Sequence, residues 1–429
     1  MLFLLILAGL ILILLTGLPV FAALGLFSMA ILVGTEGNLG SIGELVFSKL
    51  NSYLLVALPL FALMASFMIR GRLVDDLFNS VQLMFRHLPG GLAVAAVAAC
   101  TVFAAISGSS VATALTIGSA AIPLMIRHGY EPKVAYGVIG GGGTLGILIP
   151  PSAPMVIFGV ASDTSIGALF MAGVLPGLMI AGMFAMYCIV QQSFSPKAAQ
   201  RMPRATMPEL LSGLRKSVWA FSLPMVVLGG MYAGIFTATE GAAIGAFAAL
   251  VIGVFVYRTL GAKDIWASAF DAAKTTAMLF MILVTADMLG HVLTKLRIPQ
   301  GIVQLVTEYG LGQIEFLLAV MALIFVLGMF LETLSIILIT TPVVLPVLAA
   351  LNINPVWYGI LLTINLELAL ITPPVGMNLF ALKAISKAPI IEIIKGVSPY
   401  VVILVIALLM LMFFPQIALW LPGTMKLGL

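Results

Sequence analysis

Long apolar segments follow one another along the chain and are separated by short stretches that carry most of the charge. Few of these segments alternate polar and apolar residues, as the strands of a membrane β-barrel would. Segments such as 166–190 and 397–421 are long enough for a helix to cross a bilayer, which takes about 20 residues. The pattern therefore predicts an all-α integral membrane protein that spans the lipid bilayer several times.

The composition excludes a water-soluble globule. Hydrophobic residues make up 62% of the 429-residue chain and charged residues only 8%, against about 25% charged residues in soluble domains. The net charge of +4 comes mainly from basic loops, so it reports membrane topology and indicates no nucleic-acid partner. The sequence contains no ATP-binding or dinucleotide-binding motif and no nucleophile–base pairing. We therefore expect a protein that is not an enzyme.

The distribution of basic residues orients the chain in the membrane. The segment 191–216 holds the richest basic cluster, which the positive-inside rule assigns to the cytoplasm. The runs 92–125 and 313–350 each have a polar, helix-interrupting centre, which suits a re-entrant hairpin. When the spans are traced from segment 191–216 in both directions, this interpretation places the basic loops on the cytoplasmic side. One hairpin then opens to the cytoplasm and the other to the outside. Lys295 and Arg297 form the one basic pair left outside.

An internal repeat connects the two halves of the chain. Four prolines in the first half each have a partner 223 residues further along the chain, and the sequence around the partners is similar. The pairs are Pro123 and Pro346, Pro132 and Pro355, Pro150 and Pro373, and Pro151 and Pro374. The same spacing places the centre of one predicted hairpin on the centre of the other. Since the hairpins open to opposite sides, the repeats are inverted, and inverted repeats with broken helices are typical of secondary transporters.

The repeat divides the chain into two units joined by the cytoplasmic connecting segment 191–216. The first repeat, 1–190, contains scaffold helices within 2–69, hairpin 92–125, broken helix 134–160 and helix 166–190. The second repeat, 217–429, contains scaffold helices within 217–293, hairpin 313–350, broken helix 356–384 and helix 397–421. By comparison with the second repeat, the first scaffold stretch is expected to break near Thr16–Pro19.

The polar hairpin centres are candidate binding elements. In hydrocarbon, an interrupted helix persists only where protein or a watery cavity satisfies its backbone groups. In SGSSVATA, residues 107–114, a serine can cap the returning helix, whose amides attract anions, while the free carbonyls of the outgoing helix suit a hard cation. Glu332 and Thr333 lie at the equivalent point of the second repeat.

Two Pro-Pro motifs form a second matched pair, GGGGTLGILIPPSAP and ELALITPPVGMN. A Pro-Pro removes two amide donors and disfavours helix before it, so carbonyls are exposed where each helix unwinds. With the hairpin tips, these motifs predict cation ligands at Ser107, Ser110, Gly143, Pro150, Glu332, Thr333, Thr372, Gly376 and Met377. The polar side chains expected on the substrate side are Ser109, Thr113, Thr144, Ser152, Ser335 and Asn378.

Acidic residues within the apolar segments are functional candidates because they are costly in a membrane. Glu332 and Glu367 lie beside the two motifs of the second repeat, and Asp287 and Glu240 are weaker candidates. For Glu332 and Glu367, a role in the site and a structural hydrogen-bonded role both stay open, as does proton coupling.

The tip SGSSVATA, the segment GGGGTLGILIPPS and the segment LELALITPPVGMNLF resemble those of the large membrane subunit of the tripartite ATP-independent periplasmic (TRAP) transporters. The resemblance covers essentially the whole chain. It implies a bacterial inner-membrane protein with an elevator mechanism, in which a transport domain built from the hairpins and broken helices slides against a scaffold.

The same resemblance implies sodium-coupled uptake of an organic acid anion, of the C4-dicarboxylate or sialic acid class. It places two sodium sites, one at Ser107, Gly143 and Pro150 and one at Glu332, Thr372 and Met377. It also implies two partners, a small four-helix membrane subunit and a periplasmic substrate-binding protein. The alternatives are a stand-alone sodium/dicarboxylate carrier of the same superfamily and, disfavoured by the lack of clustered His, Cys and Asp, a membrane enzyme.

Overall fold

The computed structural model describes residues 2–14, 16–36, 40, 42–73, 75–195 and 202–425. These ranges are built from helices, turns and short irregular connections and contain no strand. Seven of the described helices are long and apolar enough to cross a membrane. The prediction of an all-α membrane protein is therefore confirmed.

The described residues of the first half form ten α-helices. A 3-10 turn at Tyr53–Val56 precedes the fourth helix, and another at Leu145–Ile147 follows the eighth. The helices are α1 (Leu2–Leu14), α2 (Val20–Glu36), α3 (Ile42–Leu50), α4 (Ala57–Arg70), α5 (Asp75–Phe85), α6 (Gly91–Ser107), α7 (Ser110–Arg127), α8 (Pro132–Thr144), α9 (Ala153–Ser162) and α10 (Ile166–Phe194).

In the described part of the second half there are ten more helices, one of which continues as a π-helical turn at Ile252–Val256. They are α11 (Met207–Tyr232), α12 (Ala238–Val251), α13 (Ala262–Lys295), α14 (Ile298–Glu308), α15 (Gln313–Gly328), α16 (Thr333–Ala350), α17 (Pro355–Leu370), α18 (Met377–Ser386), α19 (Ile390–Phe413) and α20 (Gln416–Gly423).

Helix bounds recur at the spacing of the prolines. Helices α7 and α16 begin 223 residues apart and also end 223 residues apart, and the first residues of α8 and α17 are the prolines of one such pair. Proline is favoured at the first helical position because its missing N–H would lack a helical partner anyway. The stretch 2–36 is interrupted between Leu14 and Val20, at the position where the repeat predicts a break.

Two predicted boundaries are wrong. The connecting segment 191–216 is partly helical, because α10 continues to Phe194 and α11 already begins at Met207. A reciprocal cap starts α11: the Thr206 hydroxyl accepts from the Glu209 amide at 3.4 Å, and the Glu209 carboxylate accepts from the Thr206 amide at 2.9 Å. These bonds, together with neighbouring Arg86, lower the pKa of Glu209.

The second wrong boundary lies near the C-terminal end. The predicted single helix 397–421 is two helices, α19 and α20, with an earlier start at Ile390. Pro415 lies between them, and proline lacks the amide that a continuous helix would use there.

Glycines bring α8 against α19. A Cβ atom at Gly137 would overlap the carbonyl oxygen of Gly396, and one at Gly141 would overlap the ring of Tyr400. The Tyr400 ring also packs edge-on against Phe184 of α10, at 5.1 Å between ring centroids. Small residues at such crossings let helix backbones approach closely in a membrane. The contact fixes the position of α8, which leads directly into the first Pro-Pro segment.

We expect Gly137→Ala to lower the stability of the protein by about 1–3 kcal/mol, the usual effect of overpacking, and to lower the midpoint of thermal unfolding in detergent. Gly182→Ala on α10 is the matched control, since a Cβ there meets nothing within 4 Å. The control should equal or exceed the wild-type midpoint, because helical glycine costs about 0.5–1 kcal/mol relative to alanine. Equal midpoints for the two variants would contradict the packing argument.

Candidate functional site

A cavity of about 260 Å³ lies where the chain breaks between α6 and α7, between α15 and α16, and at the start of α9 and α18. The opposite wall comes from α4 and α13, with Phe61 and Thr276 among its residues. Both halves of the chain therefore contribute hydroxyl or carboxyl side chains to one cavity. We call it the polar cavity, although apolar side chains form most of its wall. The predicted site residues that line it are Ser107, Ser109, Ser110, Ser152, Glu332, Thr333 and Met377.

Hydroxyl groups hold the turn between α6 and α7. Gly108 ends α6 with φ of 59°, in the left-handed region that favours glycine. Ser109 then caps α7, its side chain accepting from the Ala112 amide at 3.4 Å. Thr113 donates to the Ser109 carbonyl at 2.8 Å, and its hydroxyl lies 3.0 Å from that of Ser107. The serines are thus local caps as well as cavity residues.

The same turn packs directly on the first Pro-Pro segment. A Cβ at Gly108 would lie 2.6 Å from the Pro151 carbonyl oxygen, and a Cβ at Gly146 would lie 2.5 Å from the Ser109 carbonyl oxygen. Ser152 caps α9 by accepting from the Met155 amide at 3.5 Å and donates to the Ile147 carbonyl at 2.5 Å. Glycine at both contact points is therefore what permits the close approach.

A hydroxyl bridge connects the two halves of the chain beside the cavity. Ser110 is 2% exposed. Its hydroxyl donates to the Gly143 carbonyl at 3.0 Å and accepts from the side-chain amide nitrogen of Asn378 at 2.6 Å. Among the described residues, the Asn378 side-chain oxygen is buried without a hydrogen-bond partner. Polar groups of three predicted site residues, from α7, α8 and α18, thus meet in one buried place.

The second break is built from different residues. Glu332 holds the cap position of α16 and accepts from the Ser335 hydroxyl at 3.4 Å. Its turn contacts the second Pro-Pro segment through a backbone hydrogen bond, in which the Val375 amide donates to the Met329 carbonyl at 3.2 Å. The Thr372 hydroxyl donates to the Leu368 carbonyl at 2.6 Å. Phe330 at the tip is 57% exposed.

Eight predicted site residues do not line the cavity: Thr113, Gly143, Thr144, Pro150, Ser335, Thr372, Gly376 and Asn378. Thr113, Gly143, Ser335 and Asn378 bond to residues that do line it. Gly376 has φ of 48° and a Cβ there would lie 3.0 Å from the Thr372 carbonyl oxygen, so these two backbones are adjacent. Thr144 donates to Gly141 in its own helix at 2.7 Å and is joined to none of the others.

Sequence reasoning missed two cavity residues on α13, Thr275 and Thr276. The Thr276 hydroxyl is buried without a hydrogen-bond partner among the described residues. Thr275 and Thr276 directly follow Lys274 at the start of an apolar run, so the sequence pattern alone does not distinguish them from the polar end of a span.

The four acidic candidates have different surroundings. Glu332 lines the cavity, whereas Glu367 of α17 is fully buried with both carboxyl oxygens unpartnered among the described residues. Asp287 pairs with Lys49 at 3.3 Å, and Glu240 caps α12 by accepting from the Thr237 amide at 2.8 Å. Asp287 and Glu240 therefore have structural partners.

The fold is that of a membrane transporter. A solved structure of MtrF from Neisseria gonorrhoeae, described as illuminating a class of antimetabolite efflux pumps, aligns with a TM-score of 0.62. The alignment covers 91% of this chain and 85% of that chain at 13% identity, so it speaks for the fold alone. No group of three or more His, Cys, Asp and Glu side chains able to hold a metal occurs in the described part of the chain.

The chain belongs to the TRAP transporter large permease family, and it is a multi-pass inner-membrane protein. Residues 7–417 match the family model "Tripartite ATP-independent periplasmic transporter, DctM component". The C4-dicarboxylate TRAP transporter large permease protein DctM of Pseudomonas aeruginosa is 39% identical, over 92% of each chain. The ectoine TRAP transporter large permease protein TeaC of Halomonas elongata is 36% identical, over 95% of this chain and 96% of the relative.

The Ser110–Asn378 hydrogen bond predicts energetic coupling between the halves. Ser110→Ala leaves a buried amide unpaired, which costs about 1–3 kcal/mol, and Asn378→Ala removes the same bond from the other side. We expect the double variant to lose less stability than the two single losses combined, by about 0.5–3 kcal/mol, in denaturant unfolding in detergent.

The control for this cycle is Ser119→Ala on α7, whose exposed hydroxyl donates only to the Thr116 carbonyl within the same helix. Ser119→Ala should change the free energy of unfolding by less than about 0.5 kcal/mol. Combined with Asn378→Ala, it should give a loss of stability equal to the sum of the two single losses. Strict additivity of Ser110→Ala and Asn378→Ala would show that the bond carries no net stability.

Proposed function

We propose that this permease imports an organic acid anion across the inner membrane by sodium symport, with an elevator movement of the elements around the cavity. The observation that carries the proposal is the convergence of two helix breaks and two Pro-Pro segments, from both halves of the chain, on one cavity. Interrupted helices that meet near the middle of inverted repeats form the substrate and ion sites of secondary transporters.

Sodium is the coupling ion that the available atoms suit. The donors near both helix breaks are carbonyl, hydroxyl and carboxylate oxygens, which hard cations prefer. We assign one cation to the neighbourhood of Ser107, Ser110, Gly143 and Pro150. The buried bridge from Ser110 to the Gly143 carbonyl, with the unpartnered Asn378 oxygen beside it, supports this assignment.

We assign a second sodium ion to the matching region of the other half. Its ligands would come from Glu332, Thr333, Thr372, Gly376 and Met377. The carbonyl of Thr372 lies against Gly376, and Glu332, Thr333 and Met377 face the cavity. The Glu332 carboxylate distinguishes this second site from the first. A carboxylate compensates the charge of a cation more strongly than the neutral oxygens of the first site do.

An anion suits the remaining part of the cavity. Helices α7 and α16 both begin at its wall, and the free amides at helix N-termini attract negative charge. Ser109 and Ser152 add hydroxyl groups there. Thr113, Ser335 and Asn378 bond to other residues of the cavity wall, whereas Thr144 bonds within its own helix. The name of the Pseudomonas relative favours a C4-dicarboxylate, with the sialic acid class as the second candidate.

The elevator movement would take place between two sets of elements. Helices α4 and α13 face the cavity largely with apolar side chains such as Leu58, Phe61 and Leu279, opposite the polar helix breaks. An apolar wall offers few hydrogen bonds that would have to break when the polar elements slide past it. In this scheme the pairs α6–α7 and α15–α16 are the re-entrant hairpins, α8–α9 and α17–α18 the broken helices.

Two partners complete the proposed system, a small four-helix membrane subunit and a periplasmic substrate-binding protein. The family description, a tripartite periplasmic transporter, supports both. The competing proposal is a stand-alone sodium/dicarboxylate carrier. Reconstitution separates them: we expect succinate uptake into proteoliposomes to need all three proteins and an inward sodium gradient. Uptake by this chain alone would remove the partners from the proposal.

The sodium assignment predicts the behaviour of Ser110→Ala and Thr372→Ala. Loss of a ligand or of the hydroxyl that positions it should raise the half-saturating sodium concentration about tenfold, the effect of about 1.4 kcal/mol. Sodium titration of radiolabelled succinate uptake measures it. Ser119→Ala on α7 and Thr307→Ala on α14 are controls, because both hydroxyls bond only within their own helix. Wild-type sodium dependence in both site variants would reject the assignment.

Proton coupling through Glu332 or Glu367 predicts a different pattern. Uptake would then follow an inward proton gradient without sodium, and Glu332→Gln or Glu367→Gln would abolish that dependence. Under sodium symport, we expect both variants to keep a sodium requirement, with Glu332→Gln lowering the sodium affinity because Glu332 faces the cavity. Sodium-independent, pH-driven uptake by the wild type would select the proton mechanism.

A further inference from the structure

A second cavity, of about 300 Å³, lies away from the polar one and is apolar throughout. Helices α1, α13 and α14 form one side of it and the pair α15–α16 the other, with wall residues such as Leu10, Leu293, Leu305, Leu323 and Val343. The single hydroxyl in the wall, Thr340, donates to the Ile336 carbonyl of its own helix at 2.7 Å. We call this cavity the apolar slot. It offers no free polar group to an organic acid or a cation.

The shape of the apolar slot suits a hydrocarbon chain. Its wall on α15 runs from Phe316 to Leu327, about 16 Å along the helix axis at 1.5 Å per residue. A single acyl chain is much thinner than a helix and has no polar atoms to satisfy.

Positive charge lies where the apolar slot meets the connection between α13 and α14. Leu293 of the wall is two residues before Lys295, and Arg297 caps α14, whose Ile302 also lines the slot. Arg297 is exposed and takes part in none of the ion pairs among the described residues. These two cations are the basic pair that the positive-inside rule leaves on the outer side.

No acidic side chain among the described residues forms an ion pair with Arg297. Asp287 of α13 pairs with Lys49. Glu308 accepts from the Gln304 side chain at 3.0 Å and lies at the opposite end of α14, about 16 Å from Arg297 along the helix. Arg297 therefore lies in the α13–α14 connection beside an almost entirely apolar channel.

We propose that the apolar slot binds one acyl chain of an anionic phospholipid, whose phosphate group pairs with Arg297 while Lys295 adds to the positive field. The lipid combines the two features that the slot requires, a hydrocarbon chain and a negative group at one end. The slot lies between α1, α13 and α14 on one side and α15 and α16 on the other. Because α16 also packs against α13 and α14, the bound chain occupies space beside that helix contact.

Native mass spectrometry of the full chain in detergent tests the proposal, with a phosphatidylglycerol and a phosphatidylcholine of identical acyl chains as probes. We expect one phosphatidylglycerol to bind at least fivefold more tightly than phosphatidylcholine. Leu323→Trp fills the slot and should weaken phosphatidylglycerol binding at least fivefold. Leu318→Trp is the matched control: both leucines lie on α15 with similar exposure, 40% and 44%, and Leu318 does not line the slot.

The charge is tested separately by Arg297→Gln, an exposed change that leaves the slot intact. It should remove the preference for phosphatidylglycerol over phosphatidylcholine. Arg258→Gln is its control, since Arg258 is also exposed and also has a positive φ, 56° against 54° for Arg297. That control should keep the preference.

Three results would overturn the proposal. The first is wild-type phosphatidylglycerol binding by Leu323→Trp with an unchanged thermal unfolding midpoint. The second is an unchanged lipid preference in Arg297→Gln. The third is loss of the bound lipid from the wild type when a small membrane subunit is co-expressed, which would make the slot a protein interface.

Discussion

Every backbone amide and carbonyl at a helix break inside a membrane must find a partner, because hydrocarbon offers none. This constraint accounts for the residues around the polar cavity. Between α6 and α7 the partners are the hydroxyls of Ser109 and Thr113, and at α9 the partner is Ser152. Where no side chain is available, glycine lets two backbone segments approach, as at Gly108 and Gly146. Ser109 and Ser152, whose hydroxyls stabilise the helix breaks, thus also line the cavity.

The two halves satisfy this constraint unequally. The first break is closed by the left-handed Gly108 and the capping Ser109, and its Pro-Pro segment, which is buried, is followed by the capping Ser152 of α9. The second break has Glu332 as its cap, Pro374 exposed in its Pro-Pro segment, and the Phe330 ring at its tip. The helix boundaries are thus repeated in the two halves, whereas the side chains at the two helix breaks are different. One half therefore provides neutral oxygens and the other adds a carboxylate, a difference that suits two sites of unequal cation affinity.

Helix α13 connects the polar cavity with the apolar slot. Thr276 faces the first and Leu289 the second, and the two residues are about 20 Å apart along the helix axis at 1.5 Å per residue. Helix α16 touches both spaces as well, through Thr333 and Val343. Any displacement of α16 relative to α13 therefore changes both spaces together. This is the physical route by which a lipid chain in the slot would influence events at the helix breaks.

The sequence by itself determined the membrane class, the family, and the places where helices must stop. Proline acts on the conformation of its own backbone, so Pro132 and Pro355 mark helix starts whatever the tertiary structure around them. The length of an apolar segment predicts a membrane span in the same way, because it too depends only on the local sequence. The start of α11 depends on a reciprocal cap between Thr206 and Glu209, which the count of basic residues does not predict.

Only the tertiary structure decided which polar residues meet. Ser110 and Asn378 are 268 positions apart, and nothing local to either predicts their hydrogen bond. Likewise, Thr276 turns toward the cavity and Thr144 toward its own helix, although both are hydroxyls in apolar surroundings. The direction of a side chain depends on how its helix is rotated against its neighbours, and that rotation is set by packing over the whole molecule.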